Sequence, residues 1–521
     1  MKKQLVFHPI LIALFPVLLI YSQNIHLILL EGIIFPILII VTVAIGLWAS
    51  IKFILKNIIK SGLISSIYIF LFFSYGHIFN IVESNLTQES FVSIHVILLI
   101  LYTVIAVLST YYLVKTNRRL NNFTTITNTM SIALMVFVIY NIGAYNFQSS
   151  SFEIQDDDLD PIILGADSKN ISDIYYIVMD EYAPLRTLDE VFDYDNSNFV
   201  EFLEDRGFYV TKNSHSNYAV TFLSLSSTLN MEYQNYLSDI VDSESIDQRI
   251  PYQLISNNAV MKNFKSLGYK IYNIDSGWWG TRSLNIADEN LCSSNQNIDF
   301  HTLYELKQTS IIRSFDMYVK EPTSNFFRQD KRDRINCQFD EITEINKRTE
   351  KPVFVFMHVT APHDPYVFGP NGEEVYHKYT FGETAKVGNS DNVDPAKKPY
   401  LDQLTYLTKI LQKTIDKILE NSDNPPIIII QSDTGPEINF KDLNLTIEQQ
   451  NLGRMNIFNA YYFPDEKYTL LHDDITPVNS FRIVLDSQFK TNYGLLDDRV
   501  FFSTYEKPYT LIEITDFGIL D

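Results

Sequence analysis

Long apolar stretches separated by short polar ones occupy the first 150 residues and are absent from the rest of the chain. Five of them come close to the roughly 20 residues with which a helix spans a bilayer. They cover approximately Leu5–Tyr21, Ile33–Ile51, Leu63–Val82, Phe91–Val114 and Ile126–Tyr145. We predict five transmembrane helices. A cleaved signal peptide is the alternative for the first stretch, but it lacks a clear small-residue cleavage site and four more spans follow.

The basic residues of this region predict its orientation. They lie at the N-terminus, after the second span and after the fourth: Lys2, Lys3, Lys52, Lys56, Lys60, Lys115, Arg118 and Arg119. Positively charged loops stay in the cytoplasm, so five spans place everything after Tyr145 outside it. We therefore expect a multi-pass protein of the cell membrane with an extracytoplasmic C-terminal domain. No Asp, Glu, Lys or Arg lies in the middle of a span, which argues against a transporter.

Charge divides the chain at the same place. Eight basic and three acidic residues precede residue 150, which gives this region a net charge of +5. Because the whole chain carries −21, the remainder carries −26. Such acidity argues against binding nucleic acid or an anionic membrane surface. The only cysteines, Cys292 and Cys337, both belong to this acidic part. They permit one disulfide or two unpaired thiols.

After Ile171, short apolar runs alternate with helical segments, which predicts an α/β domain around a mostly parallel or mixed sheet. The boundaries expected are a membrane domain at 1–146, a linker at 147–170 and an outer domain at 171–521. Four buried central strands are predicted: Ile174–Met179, Lys270–Ile274, Val353–Val359 and Ile427–Gln431. After Pro399, a helix is predicted with an apolar stripe formed by Leu401, Leu404, Leu407, Leu411, Ile415 and Ile418.

Two of these strands end in carboxylates, at Asp180 and Asp433. The carboxyl edge of an open α/β sheet is where such folds place their ligands. Matched carboxylates there predict a site for a divalent metal ion, which would stabilise charge on a phosphoryl group. The alternative is that each Asp only caps the helix or turn that follows it.

Other candidate residues lie between the two strands. Thr221 precedes a segment that can begin a helix, where a hydroxyl is a candidate nucleophile or an ordinary N-cap. His358 lies inside a predicted strand and is interpreted as a core histidine. Trp279 and Arg282, in the sequence DSGWWGTRS, are candidates for a pocket wall and a cation for phosphate or sulfate, or for loop packing.

Several segments of the outer domain resemble sulfatase-like integral membrane proteins of the alkaline phosphatase superfamily. They are DIYYIVMDEYAPLRTL, FLEDRGFYVTKNSHSNYAVTFLSLSSTLNMEY, VFVFMHVTAPHDPYVFGPNG, IIIIQSDTGP and ITPVNSFRIVL. The wider relatives are lipoteichoic acid synthases and phosphoethanolamine transferases. The resemblance implies an alkaline phosphatase-like fold and one divalent metal ion, Mn, Zn or Mg, held by Asp180, Thr221 and Asp433. It also implies Thr221 as nucleophile and His363 near the substrate.

Two positions depart from these relatives. The sequence that begins at Thr221 is Thr-Phe-Leu-Ser-Leu, which is not the Cys/Ser-x-Pro-x-Arg motif from which classical sulfatases build formylglycine. Thr434 occupies the position at which the superfamily usually has His after its late Asp. Two hypotheses follow. The first is a membrane-anchored hydrolase or transferase of phosphoryl, rather than sulfuryl, esters of envelope lipids or glycans. The second is a catalytically inactive binding or scaffolding protein.

Overall fold

In a computed structural model of the protein, residues 4–25, 30–83, 91–150, 172–293, 300–317, 322–375, 396–436 and 453–515 are described. The chain divides into two compact units. The first contains Met1–Gln155 and Ser294–Thr323, and the second Asp156–Ser293 and Ser324–Asp521. Residues 151–171, most of the predicted linker, lie outside the described residues.

The first unit is helical. Its elements are α1 (His8–Gln23), α2 (Leu30–Leu55), α3 (Ile58–Glu83), α4 (Phe91–Lys115), α5 (Asn121–Ser150), α12 (Phe300–Thr309) and a 3₁₀ helix (Ile311–Met317). Among the described residues, α2 to α5 are long and apolar enough to cross a membrane, whereas α1 is a shorter apolar helix of 16 residues. Four predicted spans therefore have helices of spanning length. Large apolar side chains such as Phe53 and Ile97 are exposed on them, as expected of a surface that faces lipid.

The sequence pattern did not predict that α12 belongs to this unit. Its residues come from the middle of the predicted outer domain, yet Leu306 is buried in a cluster with Ala13 and Val17 of α1. At the C-terminal end of α12, its backbone approaches α3 at Gly76. A Cβ atom there would lie 1.9 Å from the carbonyl oxygen of Gln308. Only glycine permits this approach.

Replacing Gly76 with alanine is therefore expected to displace the end of α12 from α3. We expect a loss of about 1–3 kcal/mol from the free energy of unfolding, as for other overpacked sites. Thermal unfolding of the detergent-solubilised protein measures it. Gly46→Ala is the matched control, because a Cβ on this α2 residue meets nothing within 4 Å. Equal stability of the two variants would contradict the close packing.

The second unit is an α/β domain, which confirms the predicted fold class. Its helices are α6 (Leu185–Glu190), α7 (Ser197–Glu204), α8 (Thr221–Asn230), α9 (Leu237–Val241), α10 (Arg249–Ser256), α11 (Ala259–Ser266), α13 (Pro322–Ile342), α14 (Lys397–Asn421) and α15 (Ser480–Phe489), with 3₁₀ turns at Ile345–Arg348 and Pro477–Asn479. Its strands are β1 (Ile174–Met179), β2 (Tyr209–Val210), β3 (Lys270–Ile274), β4 (Glu289–Leu291), β5 (Val353–Val359), β6 (Ile427–Gln431), β7 (Asn459–Tyr462), β8 (Val500–Thr504) and β9 (Lys507–Ile514).

Seven strands form one sheet in the order β2-β7-β6-β1-β5-β3-β4, and β8 and β9 form a separate hairpin. Strands β6, β1, β5, β3 and β4 are parallel, β7 pairs antiparallel with β6, and β2 pairs antiparallel with β7. All four predicted central strands are present with the predicted bounds. Cys292 and Cys337 form a disulfide, the first of the two alternatives that the sequence left open.

The predicted stripe of the helix after Pro399 packs against one face of this sheet. In α14, Leu404, Leu407, Leu411 and Ile415 are fully buried in the same cluster as Tyr175 and Ile177 of β1. Each such side chain contributes about 1.5–3 kcal/mol relative to exposure. The opposite face carries Tyr176 and Val178 of β1 and is covered by Leu225 and Leu229 of α8, among others. Helix α8 therefore lies on the face that receives the even-numbered side chains of β1.

Candidate metal centre and active site

Strand register places the two predicted carboxylates side by side. Ile174 of the central strand β1 pairs with Phe354 of β5 and with Ile427 of β6. Asp180 and Asp433 are each six residues beyond these paired positions, at the carboxyl edge. Alternate side chains of a strand share a face, so both belong to the face that α8 covers. His358 is four residues beyond Phe354 and shares that face.

Asp180, His358 and Asp433 consequently form one buried cluster. One ligand-type atom from each residue lies within 4.8 Å of the others. Their side chains are 8%, 0% and 2% exposed. Within the part of the chain that the structure describes, no other His, Cys, Asp and Glu residues form such a group. Carboxylate oxygens and a neutral imidazole are ligands that a divalent Zn or Mn ion accepts.

Four polar side-chain atoms of this cluster lack protein partners. Oδ1 of Asp180, Nε2 of His358 and both carboxylate oxygens of Asp433 are buried without a hydrogen bond. Buried polar groups are nearly always paired, so these atoms fit a ligand that the protein chain does not supply. Burial, followed by repulsion from Asp433, raises the pKa of Asp180 well above its usual range. A divalent cation would offset both effects.

His358 is the site residue that sequence reasoning missed, because it was assigned to the core. Its Nδ1 is indeed satisfied there, 2.9 Å from Oγ1 of Thr281. Its Nε2, however, has no hydrogen-bond partner and belongs to the carboxylate cluster. Burial lowers the pKa of His358 to about 4, so the ring is neutral at pH 7, as a metal ligand must be. A polar residue at the second-last position of a buried strand was the available signal.

Thr434 also lies in this region. Its side chain is fully buried and its Oγ1 has no hydrogen-bond partner. A neutral hydroxyl is a poor metal ligand, so Thr434 does not replace the imidazole that the resemblance leads one to expect. His358, on the neighbouring strand β5, provides an imidazole to the cluster instead.

Thr221 is the first residue of α8, and the residue in the N-cap position is Val220. The alternative that Thr221 is an ordinary N-cap is therefore wrong. Its hydroxyl is at the helix N-terminus, where backbone N–H groups and the helix dipole favour an anion. One turn later, Ser224 Oγ donates a hydrogen bond to the carbonyl of Asp433 at 2.7 Å, and so does Oγ of Ser216 at 2.6 Å. These bonds fix the start of α8 to the strand end that carries Asp433.

Charged residues surround the cluster. Glu181 follows Asp180 with a left-handed backbone, φ +64°, which is rare outside glycine and is found at functional sites. Its Oε1 lies 3.3 Å from Nη1 of Arg454 and 3.8 Å from Nε2 of His363. Burial alone would lower the pKa of His363, but the Glu181, Asp180 and Asp364 carboxylates raise it well above its usual value. These carboxylates thus favour the protonated, imidazolium form of His363.

Lys331 of α13 completes this network. Its Nζ donates hydrogen bonds to the backbone carbonyls of His363 and Asp364 at 2.8 and 3.1 Å. Burial lowers the pKa of Lys331 to about 8, although the nearby carboxylates oppose that change. The lysine therefore fixes the loop that carries His363.

The predicted substrate-binding pair lies in the loop after β3. The Arg282 guanidinium carbon is 5.3 Å from the ring centroid of Trp279. The ring of the adjacent Trp278, and not that of Trp279, contacts His358 edge to face, with ring centroids 5.6 Å apart. The loop thus lies beside the cluster through Trp278, and substrate binding by Trp279 and Arg282 stays a prediction.

Comparison with known proteins identifies the family. The family model described as Sulfatase matches residues 193–495, more than half of the chain. The chain belongs to the sulfatase family. The predicted membership of the alkaline phosphatase and sulfatase superfamily is thereby confirmed. Asp180 precedes the matched residues, and hairpin β8–β9 follows them.

No curated protein sequence matches the chain. Solved structures that the chain matches include the zinc complex of the C-terminal periplasmic domain of EcEptC from Escherichia coli, at 12% identity over 68% of this chain and 96% of that chain, with a TM-score of 0.41. The integral membrane lipooligosaccharide phosphoethanolamine transferase A (EptA) from Neisseria meningitidis matches at 11% identity over 91% and 94%, with a TM-score of 0.36. A putative sulfatase from Bacteroides thetaiotaomicron matches at 9% identity over 63% and 73%, with a TM-score of 0.38.

Proposed function

We propose that this membrane protein of the sulfatase family is a metal-dependent hydrolase or transferase of phosphoryl esters, with Thr221 as its nucleophile. The observation that carries the proposal is the buried cluster of Asp180, His358 and Asp433. Its ligand atoms have no partners in the protein, and it is hydrogen-bonded through Asp433 to the helix that Thr221 begins. A structural cluster of two carboxylates would need partners of its own.

Asp180, His358 and Asp433 would hold the metal ion, and Thr221 would lie beside it. When bound, such an ion stabilises negative charge on a phosphoryl group and on the oxygen that attacks it. The chain supplies two carboxylates, which balance the charge of a divalent ion, and one neutral imidazole. The set fits Zn or Mn, and an oxygen-preferring ion such as Mg fits it less well.

The reaction proposed for Thr221 has two halves. In the first, the Thr221 hydroxyl releases its proton to water and a bond forms between Thr221 Oγ1 and phosphorus, while the bond from phosphorus to the leaving alcohol oxygen breaks. His363, as an imidazolium, donates the proton that this oxygen needs. In the second, water or an acceptor alcohol attacks phosphorus, and the electron pair of the breaking bond returns to Thr221 Oγ. The oxygen then takes up the proton that the attacking group releases, and His363 regains a proton from water.

The proposed substrate class is supported by the chain itself. The sequence that begins at Thr221 is not the motif from which formylglycine is built, which favours a phosphoryl over a sulfuryl ester. The long apolar helices α2 to α5 keep the protein at a bilayer, so esters of envelope lipids or of lipid-linked glycans are the substrates proposed. Trp279 and Arg282 are the proposed binding residues on the loop after β3.

The test is metal-dependent turnover by the full-length protein in detergent. Chelator-treated protein is assayed with p-nitrophenyl phosphate, bis(p-nitrophenyl) phosphate and p-nitrophenyl sulfate, before and after addition of Mn or Zn. We expect release of p-nitrophenol from a phosphate ester only with metal. Asp433→Asn is expected to lose both this turnover and the bound metal, measured by elemental analysis.

Asp416→Asn is the control, since Asp416 is a surface carboxylate paired with Arg206 at 2.6 Å. Turnover of only the sulfate ester would contradict the proposed substrate class. A wild-type protein that binds no metal and turns over no ester would instead support the inactive binding protein, which the substitution at Thr434 favours.

A further inference from the structure

The hairpin β8–β9 lies beyond the residues that the Sulfatase family model matches, and it is built onto the segment that leads into α8. The backbone N–H of Phe501 donates to the carbonyl of Asn217 at 2.9 Å, and Asn217 Nδ2 donates to the carbonyl of Arg499 at 2.9 Å. Phe501 also stacks on Tyr218 with ring centroids 5.7 Å apart. The hairpin is thereby fixed relative to the start of α8.

The turn of this hairpin carries Tyr505. Its hydroxyl lies 3.3 Å from Thr221 Oγ1 and accepts a longer bond, 3.5 Å, from the backbone N–H of Thr221. Tyr505 as a whole residue is 40% exposed, yet its hydroxyl points toward a threonine that is only 6% exposed. A tyrosine that only stabilised the hairpin would be expected to keep its polar hydroxyl in water.

The ring of Tyr505 is held on two sides. Phe222, the residue after Thr221, meets it with centroids 6.0 Å apart. The Arg454 guanidinium carbon lies 5.7 Å from its centroid. Arg454 in turn donates from Nε to the carbonyl of Ala219 at 2.7 Å and contacts Glu181. The position of the hydroxyl is thus set by groups that belong to the candidate site.

We propose that Tyr505 is a further catalytic residue, whose hydroxyl donates a hydrogen bond to Oγ1 of Thr221. The role rests on the proposed function. In the resting protein this bond orients the nucleophilic oxygen. In the second half of the reaction, negative charge develops on Thr221 Oγ as its bond to phosphorus breaks, and Tyr505 stabilises it. Tyr505 keeps its own proton throughout, so the proton and electron balance of the reaction is unchanged.

A donor aimed at an oxygen that gains charge in the transition state commonly contributes 10²–10³-fold to the rate. The bond of Tyr505 is long and its ring is partly exposed, so we expect less. Tyr505→Phe should lower kcat by about 10–100-fold and leave KM unchanged within about twofold, because the hydrogen bond strengthens only as charge develops. The phenylalanine ring keeps the packing against Phe222 and Arg454.

The experiment measures kcat and KM of the full-length wild type, Tyr505→Phe and Tyr509→Phe. Each protein is assayed in the presence of Mn with the p-nitrophenyl phosphate ester that the wild type turns over. Tyr509 lies on the same hairpin and its ring is also near Phe222, but its hydroxyl donates to the carbonyl of Asp247. We expect Tyr509→Phe to keep wild-type kcat. Binding of orthovanadate, which mimics the five-coordinate transition state, is measured by calorimetry and should weaken in Tyr505→Phe by a factor similar to that in kcat.

The outcomes separate this role from the proposed function. If Thr221→Ala loses turnover while Tyr505→Phe keeps kcat and orthovanadate affinity within twofold of the wild type, Thr221 stands and Tyr505 is not catalytic. If Thr221→Ala keeps full turnover, both proposals fail. If neither phosphate ester is turned over, orthovanadate binding alone decides, and a wild type that does not bind orthovanadate with Mn overturns both.

Discussion

Thr221→Ala is expected to lower turnover of a phosphate ester by at least about 10³-fold, since nucleophile removal leaves only the weaker catalysis by the remaining site. The substitution removes one hydroxyl at the N-terminus of a buried helix. It leaves the residues of the metal cluster unchanged. We therefore expect metal content and thermal stability close to those of the wild type, in contrast to Asp433→Asn.

Two further measurements sharpen this prediction. Thr221→Ser retains a hydroxyl and should retain part of the activity. A phosphorylated peptide containing Thr221 should be detectable by mass spectrometry after rapid acid quenching of the wild type with substrate. Ser226→Ala is the matched control. This serine is also buried in α8, and its hydroxyl donates a hydrogen bond to the carbonyl of Leu223 in the same helix. Undiminished turnover by Thr221→Ala would exclude the covalent mechanism.

His358→Ala is expected to weaken the affinity for Zn or Mn by at least about 100-fold, because loss of even an outer-shell partner of a metal ligand costs about 10–100-fold. The physical reason is that the two carboxylates would keep the charge but lose the third ligand. Isothermal titration of the chelator-treated, full-length protein with each metal measures the affinity. His472→Ala is the control, since His472 is not part of the cluster. It pairs instead with Asp498, with 3.1 Å between Nε2 and Oδ2.

The double variant His358→Ala, Thr434→His tests whether the two positions are equivalent. If His358 supplies the imidazole that the superfamily usually carries after its late Asp, the second substitution should recover part of the lost affinity. Metal affinity of His358→Ala equal to that of the wild type would show that His358 is a core histidine, as its sequence context indicates. Circular dichroism verifies that each variant remains folded.

Several features of this protein follow from the order of its residues. Apolar length and the positions of Lys and Arg predicted a membrane region, and four helices of spanning length are present. The runs IYYIVM, VFVFMHV and IIIIQ predicted central strands, because continuous apolar runs of this length are stable only when both faces are covered. Asp180 and Asp433 were recognised because each follows such a strand directly.

The sequence alone did not determine which residues would complete the site or where distant segments would pack. His358 was interpreted as a core residue because it lies inside an apolar strand. Its membership of the cluster depends on the register between β5 and β1, a long-range pairing that no local pattern encodes. The contact between Tyr505 and Thr221 joins residues 284 positions apart. Helix α12 belongs to the membrane unit because Gly76 of α3 allows its backbone to come close. Local periodicity thus determined the elements, whereas strand register and packing between distant segments decided the candidate site.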